Sequence, residues 1–94
     1  MPLIDVKRLA EGIGTVKRST GYSRIRVGDK TLAYANERKA GIHLDFRASD
    51  LDGAPARLRK HAVINRGRAR LLVNNKNVAA ARALLEHVAN KEAT

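Results

Sequence analysis

The arginines of this sequence offer most of its chemistry, and their spacing is particular. Arg66-Gly67-Arg68, extended by Arg70, places two guanidinium forks on either side of a residue with no side chain. Such a tip fits the floor of a narrow A·T-rich minor groove, where the potential is most negative. Upstream, Arg57, Arg59 and Lys60 lead into His61, and on a helical turn Arg57 and Lys60 share a face. The planar fork of arginine matches phosphate, so these residues, together with the 66–70 cluster, read as clamps on two adjacent phosphates, and Lys76 extends the basic segment downstream. A third group alternates along a strand: Tyr22, Arg24 and Arg26 on one side, with Tyr34 across from them. An aromatic among arginines on a sheet suits single-stranded nucleic acid. With two Tyr and one Phe in the whole chain, a plain polar sheet face is the better expectation, and a double-stranded partner is favoured.

Catalytic chemistry has less to stand on. His43 and Asp45 share a face of one strand and, with His61 as partner, would make the acid/base set of a small ribonuclease-type toxin. His43, His61 and His87 are too widely separated for a metal site on one helix face, and there is no H-E-x-x-H. The absence of cysteine excludes disulfides, thiolate metal ligands and a catalytic thiol. Gly12-Ile13-Gly14 follows a helical pattern, the wrong context for a dinucleotide loop. The sequence therefore reads as non-enzymatic, with no catalytic residue, no metal and no cofactor.

Charge singles out the same region. Nineteen Lys and Arg against nine Asp and Glu give a net charge of +10. Residues 53–85 hold eight basic side chains and no acidic one, whereas residues 1–52 hold ten basic and seven acidic. Eight unopposed cations repel one another, and a polyanionic partner is the usual compensation. No apolar run approaches the ~18 residues of a membrane span, and the first residues lack a signal peptide's apolar stretch. A cytoplasmic protein without membrane association is expected.

The elements that must position these residues follow from periodicity. A chain of 94 residues is read as one domain. Of its 41 hydrophobic residues 15 are Ala, so the core is modest and the state is monomer or weak homodimer. Val6, Leu9, Ala10 and Ile13 have helical spacing, giving an N-terminal helix at about 3–12, with a polar connector to residue 21. Residues 22–47 alternate with period two through three strands joined by tight turns, a β-meander. Residues 48–67 are a basic loop with a short helix, Pro55 occupying its first position. Residues 68–73 form a fourth strand, with Ala69, Leu71 and Val73 inward. Residues 77–90 form a closing helix whose Val78, Ala81, Leu84, Leu85, Val88 stripe is expected to pack on the sheet, a dimer contact through Leu84 being the alternative. The result is an α+β two-layer sandwich: an N-terminal helix, a three-stranded antiparallel meander plus a fourth strand, and a C-terminal helix packed on the sheet.

The passage "RVGDKTLAYANERKAG" continuing into "IHLDF", and the closing "ARLLVNNKNVAAARALLEHVA", resemble small bacterial α+β domains of the MmcQ/YjbR and YdhG-like kind over residues 22–89. The resemblance implies a small α+β fold and, for some members, DNA binding through hairpins used as paired wings; it brings no catalytic residues. The middle segment usual in those domains is shortened here to about 49–61. The Arg66-Gly67-Arg68 tip is itself similar to an AT-hook core, with Ala69 standing where the usual proline follows. The α-β-β-β-α opening also resembles the order of a double-stranded-RNA-binding domain, though Lys76 stands alone where that domain has several lysines.

Together these features predict a nucleic-acid-binding protein, duplex DNA favoured over RNA. It is bound mainly through phosphate contacts of residues 57–76, with Arg66-Gly67-Arg68 inserted into the minor groove and Arg24 and Arg26 as further contacts. The alternatives are a small effector of phage or plasmid type that docks on an acidic host protein, and the ribonuclease-type toxin.

Overall fold

The structure, a computed structural model, describes residues 5–93. The alternating sequence folds as six antiparallel strands: β1 (Thr15–Ser19), β2 (Tyr22–Val27), β3 (Lys30–Arg38), β4 (Gly41–Arg47), β5 (Val63–Asn65) and β6 (Arg68–Val73). They lie in the order β1-β2-β3-β4-β6-β5. Three helices accompany them, α1 (Val6–Ala10), α2 (Ala56–Arg59) and α3 (Val78–Ala93), with a 3₁₀ turn at Ala48–Leu51. This is the α+β sandwich expected, with its C-terminal helix packed against the sheet.

One face of the sheet is apolar because strand side chains alternate. Ile25, Ala35, Ile42, Leu44, Phe46, Ala69, Leu71 and Val73 point to that face and are buried. Val6, Leu9, Ala81, Leu84, Leu85 and Val88 of α1 and α3 close over them, each at 0% exposure. Burying a side chain of this size contributes about 1.5–3 kcal/mol, so this layer supplies most of the stability. Leu84 belongs to it and is not available for a dimer contact. The opposite face carries no helix among the described residues. Its positions are Tyr22, Arg24, Tyr34, His43, Asp45, Arg68, Arg70 and Leu72.

Two expectations are corrected. The connector proposed for residues 15–21 is β1, an edge strand paired to β2 from Thr15↔Arg26 to Ser19↔Tyr22. The basic loop at 48–67 contains β5, paired to β6 from Val63↔Arg70 to Asn65↔Arg68. The sheet thus has six strands where four were expected. Edge strands are held by backbone hydrogen bonds on one side and need little apolar alternation, so neither announces itself. Smaller differences follow the same logic. In β3, period two alone would put Leu32 and Tyr34 on one face, but a register slip at Ile25/Arg26 separates them; Leu32 is buried while Tyr34 is 40% exposed. Pro55 is the N-cap of α2, one position ahead of its first helical residue. Residues 3 and 4 of the expected first helix lie outside the described residues.

A helix of five residues such as α1 has no stability of its own. Besides burial of Val6, Leu9 and Ala10, both ends are tied. At the start, the Asp5 side chain accepts a hydrogen bond from the Arg8 amide at 2.7 Å. At the end, the Arg82 guanidinium of α3 donates to the carbonyls of Arg8, Leu9 and Glu11 at 3.0, 3.3 and 2.8 Å. A cation at the carbonyl end of a helix also opposes its dipole.

Candidate nucleic-acid interface

The segment 63–73 is a β-hairpin, and Arg66-Gly67 is its two-residue turn. Both turn residues have positive φ, 51° for Arg66 and 77° for Gly67, which is the type I′ arrangement whose twist matches the flanking strands. Glycine takes this conformation freely, whereas arginine takes it at a cost of roughly 1–2 kcal/mol. Asparagine is the usual occupant of the first position. The tip is braced from behind, because the Ala48 amide donates to the Gly67 carbonyl at 2.9 Å.

Register gathers a third arginine at the tip. β6 lies against β4 as well as β5, and Arg47 is the cross-strand partner of Arg68. Arg47, Arg66 and Arg68 line one recess of about 370 Å³, together with Tyr34, Asp45 and Asp50. The three guanidinia make no hydrogen bond or ion pair within the described chain. A second groove, about 590 Å³, continues across β4, β6 and β5 and is lined by His43, Asp45, Val63, Asn65, Arg66, Arg68, Arg70 and Leu72. Arg66 and Arg68 are the ridge between the two.

Not every cation of the acid-free block stands ready for a partner. Arg70 donates through Nε to Oδ1 of Asp45 at 2.9 Å and through Nη2 to Oδ2 at 3.4 Å. Those hydrogen bonds, then the carboxylate's charge, raise the guanidinium pKa and hold the proton more firmly. Arg82 is spent on the end of α1. Arg57, Arg59 and Lys60 are exposed on or beside α2, which packs against α3 through the layer that holds Leu58. Neither groove lined by Arg66 includes an α2 residue. Lys76 sits beyond the other end of β6 from Arg68, in the turn to α3, its amide donating to Asn74 Oδ1 at 2.8 Å.

On β2, Arg24 and Arg26 lie on the uncovered face as expected, with Arg24 opposite Tyr34. Arg24 stands 5.7 Å from the Tyr22 ring centre and donates Nη2 to the Tyr22 hydroxyl at 3.1 Å. That hydrogen bond, and then the nearby positive charge, lower the phenol's pKa from its ordinary value. Tyr22 and Tyr34 meet edge to face at 5.8 Å between ring centres. The Nε atoms of Arg24 and Arg26 are buried without an acceptor.

The acid/base set envisaged for a toxin is only half assembled. His43 and Asp45 line the second groove together, but the Asp45 carboxylate is occupied by Arg70, and His61 is not among the residues lining it. Arg47 is the contributor that sequence reasoning missed. Its alternation with Ile42, Leu44 and Phe46 marks it as outward, but only the β4–β6 pairing brings it to Arg68.

Comparison of the chain with protein-family models, with curated proteins and with solved structures yields no match.

Proposed function

We propose that this protein binds nucleic acid, duplex DNA in preference to RNA, with the β5–β6 hairpin tip as its leading contact. One observation carries the reading: an arginine occupies the left-handed first position of a type I′ turn, flanked by Arg68 and Arg47, with no ion pair to any of the three among the described residues. Backbone strain retained beside unanswered charge is characteristic of a binding element. Arg66 and Arg68 enter a narrow minor groove on either side of Gly67, and Arg47 meets the adjacent phosphates. Asp50, in the same recess, tempers this charge without pairing to it. Arg57, Arg59, Lys60 and Lys76 add a long-range field and steer the encounter.

Fluorescence-anisotropy titration against A·T-rich duplex, G·C-rich duplex and duplex RNA at several salt concentrations tests this. Neutralising about six phosphates gives a slope of log affinity on log salt near −5. The double variant Arg66→Ala/Arg68→Ala brings the slope about two units nearer zero and removes the A·T preference. A slope near zero for the wild type defeats the proposal.

One feature favours a second reading, docking on an acidic protein. Val63 and Ile64 are 70% and 59% exposed beside the arginine tip, an apolar patch with a basic rim. Absence of binding to all three nucleic acids at low salt, with a stoichiometric protein partner retained on purification, favours it.

A further inference from the structure

Resting on the nucleic-acid reading, we infer that the uncovered sheet face is a platform for a short unpaired strand. The preferred ligand is then a duplex with a single-stranded tail and not a blunt duplex. The chain has two tyrosines and no tryptophan, and the fold brings both tyrosines into contact on this one face. They are not core residues: Tyr22 is half-buried and Tyr34 is 40% exposed. Aromatic rings left on an open sheet beside cations are the means by which sheets stack unpaired bases.

The charge on this face matches a phosphate chain. One cross-strand row runs Lys17, Arg24, Tyr34, Asp45, Arg70, Val63. Its only carboxylate is already held by Arg70, so Arg24 and Lys17 are left without an opposing charge. Arg24 is fixed in place by the Tyr22 ring and hydroxyl, and among the described residues Arg26 makes no ion pair and neither buried Nε has an acceptor. Guanidinia positioned by packing and unanswered by carboxylates are prepared for an anion.

Continuity with the hairpin tip sets the kind of ligand. Tyr34 lines the same recess as Arg47, Arg66 and Arg68. From β6 to β2 the face spans three strand spacings, about 14 Å, room for two or three nucleotides. A duplex seated on the tip therefore delivers a frayed or overhanging strand directly onto Tyr34 and then Tyr22.

The test compares three probes by anisotropy at one salt concentration: a blunt A·T-rich duplex, the same duplex with an oligothymidine tail of roughly six nucleotides, and the tail alone. The tailed duplex is expected to bind about tenfold more tightly than the blunt one, the effect of stacking one or two bases. Tyr22→Leu, outside the recess of the hairpin tip, removes that increment and leaves blunt-duplex affinity within about twofold; Tyr34→Ala removes it as well, whereas Tyr34→Phe retains it. Tyrosine emission, which comes from these two rings alone, is quenched by the tailed duplex and not by the blunt one. Equal affinity for blunt and tailed duplexes overturns the inference while the duplex reading stands. A tail increment that survives both tyrosine substitutions also overturns it, by placing the strand elsewhere. Failure to bind any of the three removes the duplex reading, and this inference with it.

Discussion

The phenol of Tyr22 accepts a hydrogen bond from a permanently charged guanidinium, so its ionisation turns a neutral acceptor into a partner of opposite charge. Folding lowers its pKa for that reason. A group whose pKa falls on folding adds stability above its unfolded value, 10.0, and loses that increment as pH drops through the folded value. In an alkaline titration followed by near-ultraviolet absorbance, a first tyrosinate is therefore expected below the ordinary range. In Arg24→Ala that step returns to the ordinary range, and the alkaline gain in stability disappears. An unchanged first step in the variant means that Arg24 does not reach the phenol in solution.

Among the elements, the β5–β6 hairpin is where the proposed binding is set against stability. Arg66→Asn puts the preferred residue at the first position of a type I′ turn and is expected to stabilise the protein by about 0.5–1 kcal/mol. For a chain of this size that is a rise of roughly 2–8 °C in Tm. The same substitution removes a guanidinium and weakens duplex binding, so thermal melting and anisotropy move in opposite directions. A variant that is neither more stable nor weaker in binding counts against the strained-arginine argument. The hairpin's turn was legible because glycine after Asn-Arg, between alternating runs, has few other uses. The sixth strand and the closing helix were legible too, since Ala69/Leu71/Val73 keep period two and Ala81/Leu84/Leu85/Val88 keep the helical period. Strands β1 and β5 were not. In β1 a single apolar residue, Val16, breaks an otherwise polar run, and β5 has three residues, all exposed.

At the scale of the whole molecule, the cations divide into structural and free. The sequence lists eight in one acid-free block, and nothing in their letters separates Arg82 from Arg66. The acceptors of Arg82 are backbone carbonyls more than seventy residues earlier in the chain, which no side-chain pattern records. Arg47 escaped notice for the complementary reason: its neighbour across the sheet, Arg68, is reached by a connection that passes through α2 and β5. The division is measurable. Arg82→Leu is expected to cost about 1–2 kcal/mol, seen as a lower denaturant midpoint with an unchanged m-value. Its salt slope for duplex binding remains that of the parent protein. A changed slope with unchanged stability would return Arg82 to the binding surface.

The two margins of the sheet are guarded unequally, and this governs how copies of the protein behave towards one another. Strand β1 carries Lys17 and Arg18 along its rim, a deterrent to lateral growth. Strand β5 has Val63 and Ile64 at its rim, protected only by its brevity and by the arginines of the adjoining turn. Like charge on those arginines holds two such rims apart in dilute buffer. Salt screens that repulsion, and Val63–Ile64 is then the expected seam for edge-to-edge association. Colloidal stability is thus expected to fall as ionic strength rises, and light scattering along a salt series reads it.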